Sequence, residues 1–349
     1  MSISRRALLG TGSALSAAAM LAACGSSSTS GGAGSDAGSS SDAVADAKLP
    51  VTVTHKFGET EVKAPAGGKG LQVVALGWSD AEVCLALGVK PIGVYDWLGF
   101  GADHKGVGPW AEKLFGDVTP EVFERSADGI DYELVQSLAP DLILNVNSGY
   151  DEAEYTRLAE IAPTISGPVD ALNFAPGWDN QARLIAESLG LADAGETLIE
   201  KTSATLEGVK KDHPDFAGVQ AVTGSKFGEA YGLSYTGDFR WDAMEAFGFT
   251  MYSEAAKLKP ENGFYADVSQ EQVAVFDAPV AVLFPIGYTL AELEADPLIA
   301  SLNVVKDGRA VMLDPEEELV SAFSAGNPLS ITYVCEHLPQ LLQEAVDKL

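Results

Sequence analysis

The stretch Gln72-Val73-Val74-Ala75-Leu76-Gly77-Trp78-Ser79-Asp80-Ala81-Glu82-Val83-Cys84-Leu85-Ala86-Leu87-Gly88-Val89-Lys90-Pro91-Ile92-Gly93-Val94-Tyr95 decides the fold. Gln72 to Leu76 reads as a buried strand, Ser79 to Leu87 as a helix closed by Gly88, and Pro91 to Tyr95 as a second strand. That order implies a right-handed crossover in a mostly parallel sheet covered on both faces. The alternation continues outward, with a helix over Ile130 to Leu138 and a strand over Asp141 to Asn145. In the second half, Val219 to Thr223 and Pro279 to Pro285 read as strands. Asp238 to Phe247, Gln270 to Phe276 and Leu329 to Lys348 read as helices. Between the halves the pattern from Pro176 to Asp212 is helical, and unbroken it would reach roughly 40 Å, a stiff strut between two bodies. Gly190 and Gly195 leave open two shorter packed helices instead. The predicted fold is α/β, with two Rossmann-like lobes, 50–174 and 214–349, joined by a helix over 175–213. Val51 to Thr54 adds an edge strand, and a ligand cleft is expected between the lobes at the carboxyl ends of the strands.

The N-terminus has a different physics. Arg5 and Arg6 precede an uncharged apolar stretch from Ala7 to Met20, then Leu21-Ala22-Ala23-Cys24. Residues 1–23 read as an export signal, the apolar run being shorter than the roughly 20 residues of a permanent span. Ser4-Arg5-Arg6 fits either a twin-arginine signal or an ordinary basic leader. Leu-Ala-Ala-Cys resembles the lipobox of bacterial lipoproteins, which implies lipidation at Cys24 and a membrane anchor on the extracytoplasmic face. Residues 24–49 are dominated by Ser, Gly, Ala and Asp and read as a flexible tether.

The chain carries 22 basic and 50 acidic residues. Removing the leader takes away two arginines and no acid, so the net charge moves from -28 to -30. Such a surface argues against nucleic acid as a partner and favours a soluble monomer. Cys84 and Cys335 stand among apolar neighbours and read as buried free thiols, although export permits a disulfide.

Several short motifs keep a recognisable order. The opening stretch, Asp131-Tyr132-Glu133-Leu134-Val135 with Leu138-Ala139-Pro140-Asp141-Leu142-Ile143-Leu144, Ile161-Ala162-Pro163-Thr164, Asp267-Val268-Ser269-Gln270-Glu271-Gln272 and Asn327-Pro328-Leu329-Ser330-Ile331 follow one another over residues 70–345. Together they resemble the iron-siderophore-binding proteins of ABC importers, in the Fe/B12 periplasmic-binding family. Asn327 and Thr332 depart from that pattern. The resemblance implies a ferric siderophore held between the lobes with modest closure, no permanently bound cofactor, and no enzymatic activity. It also implies delivery to a permease driven by a separate ATPase, with Glu133 and Glu271 docking one lobe each. Haem and cobalamin are alternative ligands within the family.

Candidate ligand contacts follow from the loops after the strands. Trp78, Tyr95, Trp97, Phe100, Trp110 and Tyr150 in the first half, and Tyr231, Tyr235, Phe239, Trp241 and Tyr288 in the second, suit the walls of a site for a bulky ligand. Ser79 reads as a helix cap or a polar contact. Arg240, where a helix begins, is the first choice of cation because guanidinium forks onto carboxylate or hydroxamate oxygens. Lys105, Arg125 and Lys226 are weaker choices, and this shortage of cations leaves a neutral or cationic hydroxamate complex, or haem, open. His55, His104, His213 and His337 have no paired spacing, so no metal site is predicted, with His104 the one to test. A cell-surface serine hydrolase is the reading from a different class. Gly77-Trp78-Ser79-Asp80-Ala81 imitates a nucleophile elbow, but Ala81 replaces the last glycine.

Overall fold

A computed structural model describes residues 47–124, 129–258, 260 and 263–349. The expected export signal, the expected lipidation site Cys24, the expected tether as far as residue 46, and Arg125 lie outside the described residues. Among the described residues no helix is long and apolar enough to cross a membrane.

The chain opens with a hairpin, β1 (Val51–His55) against β2 (Gly58–Val62), with Val51 opposite Val62. Val51 to Thr54 is therefore a strand of a separate two-stranded ribbon. The first lobe then alternates as predicted: β3 (Val73–Ala75), helix α1 (Asp80–Ala86), β4 (Gly93–Tyr95), β5 (Glu121–Phe123), helix α2 (Tyr132–Ser137), β6 (Leu142–Leu144), helix α3 (Glu152–Ala159) and β7 (Thr164–Ile165). The five sheet strands are all parallel, in the order β5-β4-β3-β6-β7. Val73, Val74, Leu142, Ile143 and Leu144 are fully buried, as two covered faces require.

The predicted strut is two helices, α4 (Trp178–Ser188) and α5 (Ala192–Asp212). The break has a local cause. Gly190 has φ of 72°, and a Cβ there would stand 2.8 Å from the carbonyl oxygen of Lys48, whose amide donates to Gly190 O. Only glycine accepts both conditions. Gly195 sits inside α5, where a Cβ would meet that of Ala186 at 2.4 Å, so it brings the two helices together without ending one. The 21 residues of α5 span about 32 Å and run from the first lobe to the second.

The second lobe contains β8 (Gln220–Phe227), β9 (Ala230–Ser234), helix α6 (Phe239–Phe247), β10 (Thr250–Met251), β11 (Tyr265–Val268), β12 (Val280–Ile286) and β13 (Ala310–Met312). Helices α7 (Glu318–Ala325) and α8 (Pro328–Val346) close the chain. The sheet order is β11-β9-β8-β12-β13, with β10 beside the start of β8. β8, β12 and β13 are parallel, while β9 and β11 are antiparallel additions. Thus β8 extends four residues past the predicted end at Thr223 and folds back through Gly228 and Glu229, with Gly228 at φ 54°. Gln270–Phe276 is a 3-10 helix with a complete capping box between Ser269 and Gln272.

The lobes are pinned together by buried polar contacts. Glu82, in α1, is 3% exposed, and its Oε1 accepts from Gly108 N at 3.1 Å and Trp110 Nε1 at 2.7 Å. Its Oε2 accepts from Asn327 Nδ2 of the second lobe at 2.5 Å. Asn327, fully buried, also caps α8 through Oδ1, which accepts from Leu329 N and Ser330 N. Ser79 Oγ donates to Ala325 O at 3.1 Å, a second link across the lobes. Cys84, buried in α1, and Cys335, half-buried in α8, are free thiols.

Asn327→Ala removes the cap and strands a buried carboxylate oxygen. It is expected to destabilise the protein by about 2–4 kcal/mol, read from denaturant unfolding. Asn327→Asp, which keeps the cap but faces Glu82 with a second acid, is expected to be no milder at pH 8.

Candidate functional site

A cavity of about 620 Å³ opens between the carboxyl ends of the two sheets. The loop after β3 supplies its first wall. A Cβ on Gly77 would stand 2.2 Å from Asp80 Oδ2 and 2.8 Å from Asn147 N, so the backbone can lie there only without a side chain. Asp80 is fully buried, and its carboxylate accepts from Val146 N at 2.7 Å, Asn147 N at 3.3 Å and Gln181 Nε2 at 2.7 Å. Burial lifts the Asp80 carboxyl to about 6 against those hydrogen bonds, which hold it down. The same Gln181 Nε2 donates to Trp78 O at 2.8 Å, so Asp80 and Gln181 fix the backbone that carries the indole after Gly77.

Trp97 is positioned in the same way by the loop after β4. Asp96 accepts from Gly99 N, Phe100 N and Gly101 N at 2.8, 3.0 and 2.6 Å, which folds that loop on itself. Trp97 then stacks on Trp78 with ring centres 4.3 Å apart and planes 6° apart. Phe174 covers Trp78 from another side at 4.3 Å. Its backbone has φ of 56°, and its amide donates to Ser148 O at 2.9 Å.

The facing wall carries the charge. Asp238 caps α6, and its carboxylate receives Arg240 Nε at 2.8 Å and Nη2 at 2.6 Å in a forked pair. The Arg240 guanidinium also lies 5.4 Å from the centre of the Phe284 ring. Asp242 lines the cavity one turn into α6 and accepts from Gly237 N at 3.0 Å. Burial, with Asp238, Glu245 and Asp179 nearby, raises Asp242 to about 7.

A family model described as periplasmic binding protein matches residues 73–317. The chain belongs to the periplasmic binding protein family. Solved structures agree with this. A periplasmic solute-binding protein from Mycobacterium smegmatis is 30% identical, with 85% of this chain and 99% of that one covered and a TM-score of 0.73. PiaA of Streptococcus pneumoniae, solved with ferrichrome, is 24% identical over 85% of this chain and 99% of its own, TM-score 0.71. SirA of Staphylococcus aureus, complexed with staphyloferrin B, is 20% identical over 84% and 98%, TM-score 0.67. No curated protein matches the sequence.

As a periplasmic binding protein, the chain places its two lobes about a cavity reached by Trp78, Trp97, Phe239 and Arg240. The other expected contacts lie elsewhere. Ser79 is buried beneath the cavity wall with its hydroxyl on Ala325 O. Trp110 donates to Glu82 and packs against Tyr333 of α8, at the seam of the lobes. Tyr150 is 9% exposed and lies against Gly167, with Lys56 over its ring. Tyr231 donates to Asp296, which also pairs with Lys226, and Tyr288 donates to Gly228 O. The Tyr235 hydroxyl lies 2.6 Å from both Ala255 O and Leu258 O, which share its one proton. Trp241 is 2% exposed and packs in the core of the second lobe. Lys105 donates to Gly116 O. His104 stands outside the cavity lining, where a hydrogen bond to Glu112 raises its pKa.

Asn147, Phe174, Trp178, Phe227, Asp242 and Phe284 join the lining without having been singled out from the sequence. Phe227 ends β8 and Phe284 lies in the carboxyl half of β12, which was a usable signal, whereas nothing local marks Asp242. Among the described residues no group of three His, Cys, Asp or Glu side chains is arranged to hold a metal. Each histidine is hydrogen-bonded elsewhere than to Ser79: His55 to Thr60, His104 to Glu112, His213 to Gln343, His337 to Tyr333 O. None of the four histidines is thus placed as a base for the elbow-like serine, and the acid its side chain meets is Glu82.

Burial raises Asp242 above the ordinary carboxylate range, so between about pH 4 and 7 the folded chain keeps a proton that the unfolded chain has released. Stability is lost as pH rises through that window. Asp242→Asn retains an acceptor for Gly237 N and abolishes the titration. The variant should be more stable than the parent by about 2 kcal/mol at pH 8, with the difference vanishing near pH 4 in thermal unfolding.

Proposed function

We propose that this periplasmic binding protein captures a ferric siderophore in the cavity between its lobes and delivers it to an ABC importer. The observation that carries this reading is the cavity itself. Its volume of about 620 Å³ falls in the range of small-molecule sites, and stacked indoles form one wall while a guanidinium stands on the other. Aromatic faces suit the apolar backbone of a chelator, and guanidinium N–H groups suit its oxygen-rich metal shell. The siderophores bound by PiaA and SirA, which share this fold, support the same class of cargo.

The delivery step rests on surface chemistry. Glu133 is exposed in the first turn of α2, and Glu271 is exposed in the first turn of the 3-10 helix over Gln270–Phe276. They lie on different lobes, so a permease presenting two cations would read the spacing of the lobes through them. Exposed ion pairs contribute about 0.2–1 kcal/mol, which sets register more than affinity. The lipid anchor at Cys24 and a tether that ends where Lys48 docks on Gly190 would keep the body near that permease, and the ATPase would be a separate subunit.

Ferrichrome, ferrioxamine B, a ferric catecholate, staphyloferrin B, haem and cobalamin, titrated separately, should separate the candidate cargoes. At least one ferric siderophore is expected to quench tryptophan emission at micromolar levels, through Trp78 and Trp97. Quenching by haem or cobalamin alone would transfer the reading to those ligands. Trp78→Ala is expected to weaken the binding by roughly tenfold or more. The double variant Glu133→Ala, Glu271→Ala should bind the cargo as before and lose uptake in cells, and retained uptake would remove the docking role.

A further inference from the structure

We propose that the cavity selects its cargo by charge, admitting neutral and cationic chelates and rejecting anionic ones, with Asp242 the residue that sets this preference. The proposal rests on the cavity being a chelate site. Among the described residues, the charged side chains of its lining are Asp238, Arg240 and Asp242, one cation against two acids. The cation is already neutralised. Asp238 takes Arg240 Nε and Nη2 in a fork, with the arginine side chain 20% exposed and the aspartate 5%. Of the five guanidinium N–H groups, two are used in that fork. The remaining donors can reach the oxygens of a hydroxamate, but the positive charge is not free to balance an additional anion.

Asp242 then decides the sign. Its partner is the neutral Gly237 amide, and the groups that face it are also acidic: Asp238 and Glu245 on α6, and Asp179 on α4. An anionic guest would meet this carboxylate in a partly desolvated space, where like charges repel more strongly than in water. A cationic guest would meet a counter-ion. A tris-hydroxamate shell around iron(III) is neutral overall, so a charged substituent on its periphery sets the charge of the whole complex. Lys226, another cation considered from the sequence, is paired with Asp296 and does not line the cavity.

Three ligands with one iron shell test this at pH 8, where Asp242 is largely ionised: ferrioxamine B, its N-succinyl derivative, and the methyl ester of that derivative. They carry charges of about +1, -1 and 0, and the last two are matched in size. The ester is expected to bind at least roughly tenfold more tightly than the succinate, and ferrioxamine B no more weakly than the ester. Asp242→Asn should shrink the gap between ester and succinate by roughly threefold or more. If all three bind and the succinate equals or exceeds the ester, charge selection is overturned while the chelate reading stands. If the gap persists unchanged in Asp242→Asn, the assignment to Asp242 is wrong. If none of the three, nor ferrichrome, binds, the chelate reading falls with it.

Discussion

The two sheets face each other because one carboxylate is buried between them. Glu82 receives N–H groups from Gly108 and Trp110 of its own lobe and from Asn327 of the other, so its two oxygens are shared across the seam. Burial pushes Glu82 up to about 7, against the hydrogen bonds that hold it down. Asn327 serves two masters, holding Glu82 with its amide nitrogen and the start of α8 with its amide oxygen. Ala325 and Gly326, which line the cavity, stand just before Asn327. Gly326 has φ of 54°, and a Cβ there would stand 2.6 Å from Phe239 Cβ. The corner is thus closely packed on both sides of Asn327.

This arrangement separates two kinds of acid. Asp80, Asp96 and Glu82 are structural: each accepts several N–H groups and fixes a loop or a seam. Asp238 and Asp242 border the cavity and give it its sign. The net charge of -28 tells nothing of that distinction. It keeps the surface solvated, whereas the site depends on where a few carboxylates are desolvated.

Much of the first lobe was legible because a buried parallel strand and an amphipathic helix have unmistakable periods. Gln72 to Tyr95 yields the observed β3, α1 and β4 to within two residues. Three features were not settled by local pattern, for physical reasons. The break of the strut at Gly190, left open in the sequence, is decided by the approach of Lys48, a residue 142 positions earlier. The return of β8 into β9 hid behind Gly224-Ser225-Lys226, which resembles a strand end. Gly224 is a glycine because the Phe276 ring fills the space of a side chain there, 2.3 Å from a built Cβ. The aromatic residues were only partly legible, because a sequence tells which segment a ring belongs to and not which way it turns. Trp78 and Trp97 turn to the cavity, whereas Tyr231, Tyr235 and Trp110 spend their polar atoms inside the protein. For Trp241 the information was present, since it stands three residues before Met244 and six before Phe247 on the inner face of α6.

Phe174 gives the aromatic wall a property its neighbours lack. A left-handed backbone at a residue with a side chain costs about 1–2 kcal/mol, and the ring's stack on Trp78 returns about 0.5–1.5 kcal/mol. These magnitudes nearly cancel, while the frame beneath, tied down by Asp80 and Glu82, has no such balance. The pocket therefore combines walls fixed by carboxylates with one panel that ring contact alone holds against Trp78.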